Sequence, residues 1–302
     1  MLSEGDCLRY IPYFDAHCDA LHYCMEHGEA LHSHSGQCDL RRLSGYRPWG
    51  QVFAIYRDSA RCAPEELPRC VSAQLDLYFQ ARARYGEWME HCHLSIEGAE
   101  LIGCDPARLE EVHGWGVRSI NLTWNHSNDL AGAVGTDKGL TDLGRVFVRE
   151  AERLGIYLDV SHLSDRAFRD LAGMAERPLV ATHSNSRAVY PARRNLTDDM
   201  FCTIRDMGGV VGLNAYSPFV ADCPTPEDLI RHLEHFLALG GENTLCLGCD
   251  FDGSSGRSSG LRGVEDIGEL YDLLARRGYG EKLLDNIFYH NLARALESDS
   301  DA

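Results

Sequence analysis

Eight short β-rich runs recur along this chain, each stopping in polar residues, and amphipathic helical patterns lie between most of them. No other feature limits the fold as strongly. The runs fall at 13–16, 51–56, 93–96, 118–123, 156–160, 179–181, 209–213 and 244–248. Apolar residues recur at helical spacing over 64–90, 141–154, 164–175, 197–207, 226–239, 264–277 and 281–296. Thr141, Ser164 and Thr225 each precede acidic residues, the arrangement in which a hydroxyl caps the free N–H groups of a helix start. Strands alternating with helices imply a parallel sheet, and eight of this length favour closure into a (β/α)8 TIM-type barrel, an α/β fold. A doubly wound open sheet is the competing arrangement, but no glycine-rich dinucleotide fingerprint follows the first run.

The chain has 302 residues and no low-complexity stretch, Pro- or Ser-rich linker or charge block, so a single domain over 1–302 is expected. The segment GSSGRSSG at 253–260 reads as one long loop. Acidic residues outnumber basic ones 46 to 29, a formal net charge of -17 that would repel nucleic acid and anionic membrane surfaces. Neither is an expected partner.

Twelve cysteines would suggest disulfides in a short secreted chain. Here the opening MLSEGDCLRYIPYFDAH lacks a basic stretch followed by an apolar one, and no apolar run could span a bilayer. The closing ALESDSDA carries no hydrophobic anchor tail. Free thiols in a reducing cytoplasm are therefore expected. Cys246 and Cys249 have the spacing of a redox or zinc pair, but they sit in an apolar run without a partner pair and read as core.

In such barrels catalytic groups come from the C-terminal ends of the strands, and here those ends are rich in metal-binding side chains. The first run ends in Asp15, His17 and Asp19, the third in Glu97, the fifth in Asp159 and His162, the sixth in His183, and the eighth in Asp250 and Asp252. Residues two apart on an extended segment point the same way, so His17 and Asp19 can grip one ion together. Imidazole and carboxylate ligands suit catalytic zinc, and this many exceed what one ion needs. A pair of ions sharing a carboxylate, about 3.5–4 Å apart, accounts better for the number. Any one His or Asp at a strand end is more often a hydrogen-bonding residue than a ligand. That plain reading is kept for His22, His27, His32, His34, His91, His93, His113, His232, His235 and His290. The strand-end set differs because it recurs at one structural location.

With these residues in view, the chain resembles the membrane (renal-type) dipeptidase family over nearly its whole length. FDAHCDAL, SIEGAE, GVRSINLT, LDVSHLSD, THSNSRAVYPARRNLTDD and LGCDFDG occur in that family's order and approximate spacing. The resemblance implies a distorted barrel of the metallo-dependent hydrolase kind with two Zn2+ per subunit. His17 and Asp19 would hold one ion and His162 and His183 the other, with Glu97 bridging. It assigns Arg194 to substrate binding and Asp250 to proton transfer. A guanidinium suits a substrate carboxylate, although the neighbouring Arg193 could exchange roles with it. Asp250 is preferred to Asp252, which is expected to order the loop that follows. Relatives often form dimers, so a homodimer is an expected assembly.

One position departs from the family pattern. Relatives with dipeptidase activity commonly carry a His after the Leu-Thr of the fourth strand, where this chain has Trp124. Asn125 or His126 could supply the missing donor, and Tyr216 and Asn214 are candidate pocket walls, with Trp124 beside them. The function these residues imply is zinc-dependent hydrolysis of small dipeptides by a metal-bridging hydroxide, with a D-residue as one option at the C-terminal position. The competing readings are a binuclear amidohydrolase for another carboxylate-bearing amide or lactam, a phosphoesterase, and a metal-binding relative without catalysis.

Overall fold

A computed structural model describes residues 10–253 and 260–297. Most of the 253–260 loop expectation therefore lies outside the described residues. Seven strands form one wholly parallel sheet: β1 (Tyr13–Cys18), β2 (Trp49–Tyr56), β3 (Cys92–Glu97), β4 (Val117–Asn121), β5 (Tyr157–Asp159), β6 (Val211–Leu213) and β7 (Leu245–Leu247). Their spatial order is β5-β4-β3-β2-β1-β7-β6. Parallel neighbours need a crossover, and the helical segments supply it. In chain order these are α1 (Ala20–His27), α2 (Leu40–Leu43), α3 (Leu67–Tyr85), α4 (Leu109–Gly114), α5 (Asp142–Arg153), α6 (Asp165–Ala172), α7 (Asp198–Asp206), α8 (Pro226–Ala238), α9 (Ile267–Arg276), α10 (Glu281–Asp285) and α11 (Asn291–Glu297).

The expected sixth run is not a continuous strand. Val180 bridges Asp159 of β5 and Ala181 bridges Val211 of β6, one parallel bridge on each side. Segment 179–182 thereby links the two edges of the sheet, with Val160 N–H donating to Val180 O (2.8 Å) and Ala181 N–H to Val210 O (2.9 Å). The sheet is pinched there. A Cβ on Gly212 or Gly248 would fall on the carbonyl oxygen of Thr182, so only glycine lets these backbones meet.

The caps read from the sequence are in place. Thr141 Oγ1 accepts from Gly144 N–H and Ser164 Oγ from Ala167 N–H, each at 2.9 Å, while Thr225 forms a reciprocal capping box with Asp228. Helices α1, α2 and α4 had no strong sequence signal, each being at most eight residues long. Residues 281–297 are helical throughout, with a π-turn at Asn286–His290 between α10 and α11.

Two apolar clusters hold these elements together. The larger lies among strands and surrounding helices. The smaller joins Phe14, Ala16, Val52, Tyr157, Val180, Val210 and Cys246 to Tyr289, Leu292, Ala293 and Leu296 of the C-terminal helical stretch. Cys246 belongs to the smaller cluster and Cys249 to the larger, so the Cys-x-x-Cys spacing reflects packing on two sides. Every described cysteine is free.

Candidate metal centre

Short strands ending at one level bring their terminal side chains together, and at the C-terminal edge of this sheet those side chains are His17, Asp19, Glu97, His162, His183 and Asp250. All but the half-buried Asp250 are buried. Ligand atoms of His17, Glu97 and His183 lie within 4.8 Å of one another, as do those of His17, Asp19 and Asp250. Glu97 faces both sides. Its Oε1 is 2.8 Å from His162 Nε2 and 3.4 Å from His183 Nε2, and its Oε2 is 3.8 Å from His17 Nε2. Asp19 Oδ2 stands 3.6 Å from the same His17 nitrogen.

The hydrogen bonds around these rings decide what they can hold. His162 Nδ1 contacts Asn125 Oδ1 at 2.9 Å, and because an amide oxygen only accepts, that nitrogen carries the proton. Thr182 Oγ1 donates to Asp159 Oδ2 and receives His183 Nδ1–H at 2.8 Å. Both Nε2 atoms therefore present lone pairs, 2.9 Å apart and beside a carboxylate. Two lone pairs at that distance repel unless a cation lies between or beside them. His17 Nδ1 and Nε2 and Asp19 Oδ1 are also buried without a hydrogen-bond partner. The residues present fit a metal, with Asn125, Thr182 and Asp159 serving as the outer partners that fix ring tautomers at such sites.

The electrostatics agree. Burial drives His162 and His183 well below the ordinary imidazole range, with Arg194 and His17 adding to the effect, so both are neutral as ligands must be. Burial also works against a charged His17, but Glu97, Asp19 and Asp250 outweigh it and push that ring up to about 10. Burial raises Glu97 well above the usual carboxylate range. Asp250 is pushed up to about 6 by burial and by Asp19, while His17 and a 3.0 Å hydrogen bond from Asn214 Nδ2 pull the other way.

The backbone is bent to make this arrangement. His162 (φ 74°), Asp250 (φ 63°) and Asp252 (φ 66°) occupy the left-handed region that non-glycine residues avoid. Asp15 and Asp159 hold the turns from beneath. Asp15 accepts from His17 and Cys249 N–H, and Asp159 accepts from Ser161 and Thr182 N–H.

Arg194 is buried at the edge of the centre. Its Nη1 donates to Ser184 Oγ at 3.2 Å, its Nη2 to His183 O at 3.3 Å, and its Nε has no partner. Among the described residues no carboxylate pairs with it, and its face lies 5.5 Å from the Phe219 ring centroid. Tyr216 packs edge-on against Phe219 at 5.0 Å. Arg193 is exposed and reaches Gly135 O, so of the two arginines Arg194 faces the centre.

Other sequence expectations are placed differently. Asn125 is exposed but bonded to His162, whereas His126 is exposed on the rim, 3.9 Å from Asp58 and packed on Trp124 at 5.8 Å. Asp252 accepts from Gln37 N–H (2.5 Å) and Cys38 N–H (3.1 Å), anchoring an upstream loop. His34 and His232 are satisfied by backbone partners, as their plain reading expects. Sequence reading missed Tyr56, the last residue of β2, which pairs in register with Glu97 and lies 5.0 Å from Trp124. Screening every strand end for any polar side chain, rather than for metal ligands alone, would have found it.

The model of the membrane dipeptidase family, peptidase family M19, matches residues 3–301. An uncharacterized dipeptidase of Schizosaccharomyces pombe is 32% identical, the match covering 97% of this chain and 82% of the relative. Among solved structures, dipeptidase AC, an M19 metallopeptidase, superposes with a TM-score of 0.87 at 30% identity, covering 97% of this chain and 100% of that one. A metallopeptidase from Rhodobacter sphaeroides, liganded with a phosphinate mimic of the dipeptide L-Ala-D-Ala, gives a TM-score of 0.86 at 30% identity over 96% and 99%.

Proposed function

The chain belongs to the membrane dipeptidase family and is a metallodipeptidase, and from that premise we propose that it cleaves small dipeptides at a two-zinc centre. The centre stands at the mouth of a distorted (β/α)8 barrel formed by one domain over 1–302. The observation that carries this reading is the pair of buried imidazole lone pairs facing one oxygen of Glu97 while His17 faces the other. His17 and Asp19 would hold one ion, His162 and His183 the second, and Glu97 both.

When bound, the zinc ions supply Lewis acidity and a lowered pKa for coordinated water. The protein's own groups do the rest. Arg194, which pairs with no carboxylate among the described residues, receives the substrate's terminal carboxylate and so restricts the enzyme to short peptides. Asp250, held by Asn214, accepts a proton from the attacking water and delivers it to the departing amine. Asn125 positions His162, and Tyr216 supports Phe219 beneath the guanidinium. His126 is the remaining candidate donor to the developing oxyanion from the rim.

Among the described residues no helix is long and apolar enough to cross a membrane. We place the enzyme in the cytoplasm, where the free thiols would persist, and expect a homodimer, which sedimentation would test.

The test is hydrolysis of L,L and L,D dipeptides by zinc-reconstituted protein, with metal content measured on the same sample. Activity lost with a chelator and restored by zinc is the expected result, and the panel reads out whether a C-terminal D-residue is accepted. Two bound ions without dipeptide cleavage would redirect the reading to another carboxylate-bearing amide or lactam, the reading that Trp124 at the rim favours.

A further inference from the structure

At the opposite end of the sheet from the metal centre, where β3 and β4 begin, lies a cavity of about 520 Å3, within the range of small-molecule sites. Its walls come from α3, the start of β3 and the turn into β4, and they carry Arg82, His91, His93, Trp115 and Arg118. Strands rise about 3.3 Å per residue, so His93 stands roughly 13 Å along β3 from Glu97, and the cavity shares no residue with the centre. We propose that it binds a small organic phosphate, with the phosphate between Arg82 and Arg118 and the organic body against Trp115 and Phe79. The inference is independent of the dipeptidase reading.

Acidic residues outnumber basic ones 46 to 29 in this chain, so an arginine has acidic partners in excess, and Arg57, Arg153 and Arg187 have each found one. Arg82 and Arg118 have not. Among the described residues no carboxylate pairs with either, and Glu90, the one carboxylate in the lining, is exposed and joined to neither. Arg118 is the member of GVRSINLT that the metal centre leaves without a task. It is half-buried, and its Nε is shut off from water without a hydrogen-bond partner. That is costly for a group that can only donate. Arg82 is held in place rather than paired. Tyr78, one turn earlier on α3, donates to Cys92 O at 2.8 Å, and Arg82 Nη1 reaches that oxygen at 3.4 Å and the Tyr78 hydroxyl at 3.2 Å.

The walls select the ligand's class. Two guanidinium groups on different elements can hold one anion from two directions. A phosphate monoester offers three free oxygens to such donors, whereas a single bidentate guanidinium already satisfies a carboxylate. Apolar rings stand beside them: Trp115 is half-buried in the lining, and Phe79, 43% exposed, meets Tyr78 edge-on at 5.6 Å. The space in front is open, since a Cβ on Gly114 or Gly116 would meet nothing within 4 Å. His91 and His93 pack on Tyr289 and Phe14 and serve as wall.

The experiment is calorimetric titration of the zinc-loaded full chain with phenyl phosphate, inorganic phosphate and benzoate. Phenyl phosphate is expected to fill a site that Arg82→Gln and Arg118→Gln each weaken about tenfold or more, the scale of one charge-assisted hydrogen bond. Arg194→Gln should leave that site unchanged, which separates it from anion binding at the metal centre. Inorganic phosphate and benzoate should each bind there more weakly than phenyl phosphate. Arg82 is exposed, so its variant tests the site even if Arg118→Gln folds poorly. No binding by the wild type in the millimolar range, or binding lost in Arg194→Gln and kept in both cavity variants, overturns the site. Benzoate binding as tightly as phenyl phosphate overturns the choice of phosphate, and inorganic phosphate binding as tightly overturns the role given to Trp115 and Phe79.

Discussion

The same strands make two unlike regions within a few residues. In β1, Phe14 lies in the smaller apolar cluster and His17 in the candidate metal centre; Val180 and His183 repeat that three-residue step, and Cys246 precedes Asp250 by four. The floor is apolar and closed by Tyr289, Leu292 and Leu296. The mouth buries three histidines and carboxylates with unpartnered atoms, on backbone bent into the left-handed region at His162 and Asp250. Burying apolar groups stabilises the fold, while burying charges without counter-charge destabilises it. The floor therefore supplies stability that the polar mouth does not.

This contrast breaks if mutations at the two levels act alike. The largest expected effect is that of Glu97→Gln. It should abolish turnover and the thermal stabilisation by added zinc, yet leave the metal-free melting temperature near that of the wild type, because burial already favours the uncharged carboxyl and Gln keeps its shape. Wild-type turnover with two bound ions in that variant would end the bridging assignment. Phe14→Ala at the floor should do the reverse. Truncating so fully buried a ring costs about 3–5 kcal/mol, readable by urea denaturation, while metal stoichiometry of the folded protein stays unchanged. Loss of metal in equal measure would mean that the two regions are not separable.

A smaller change sharpens the comparison at the boundary between them. Thr182→Val removes the hydroxyl linking Asp159 to His183 Nδ1 and keeps the shape of the side chain. Metal affinity should fall about 10–100-fold, as for other outer partners of ligating histidines, measured by competition with a chromogenic chelator. Unchanged affinity would show that the ring needs no such tether.

The alternation of runs and helical patterns, the caps at Thr141, Ser164 and Thr225, and the gathering of His and carboxylate side chains at the ends of the runs were all legible in the chain. Periodicity, hydroxyl capping and strand-end position depend on neighbours within a few residues, and those are written in order. The sequence determined that His17, Asp19, Glu97, His162, His183 and Asp250 would fall at or just after the ends of the β-rich runs. Only the tertiary structure decided how they meet: Glu97 between His17 and the His162–His183 pair, Arg194 inward while Arg193 faces water, Asn125 turned onto His162, and Asp252 anchoring the loop at Gln37. The sixth run likewise read as an ordinary strand, and became two single bridges because Gly212 and Gly248 let neighbouring backbones close upon Thr182. Each of these outcomes joins elements distant in the chain or selects one side chain from a local pair. Such outcomes follow from how the sheet twists and closes, which no window of local sequence contains.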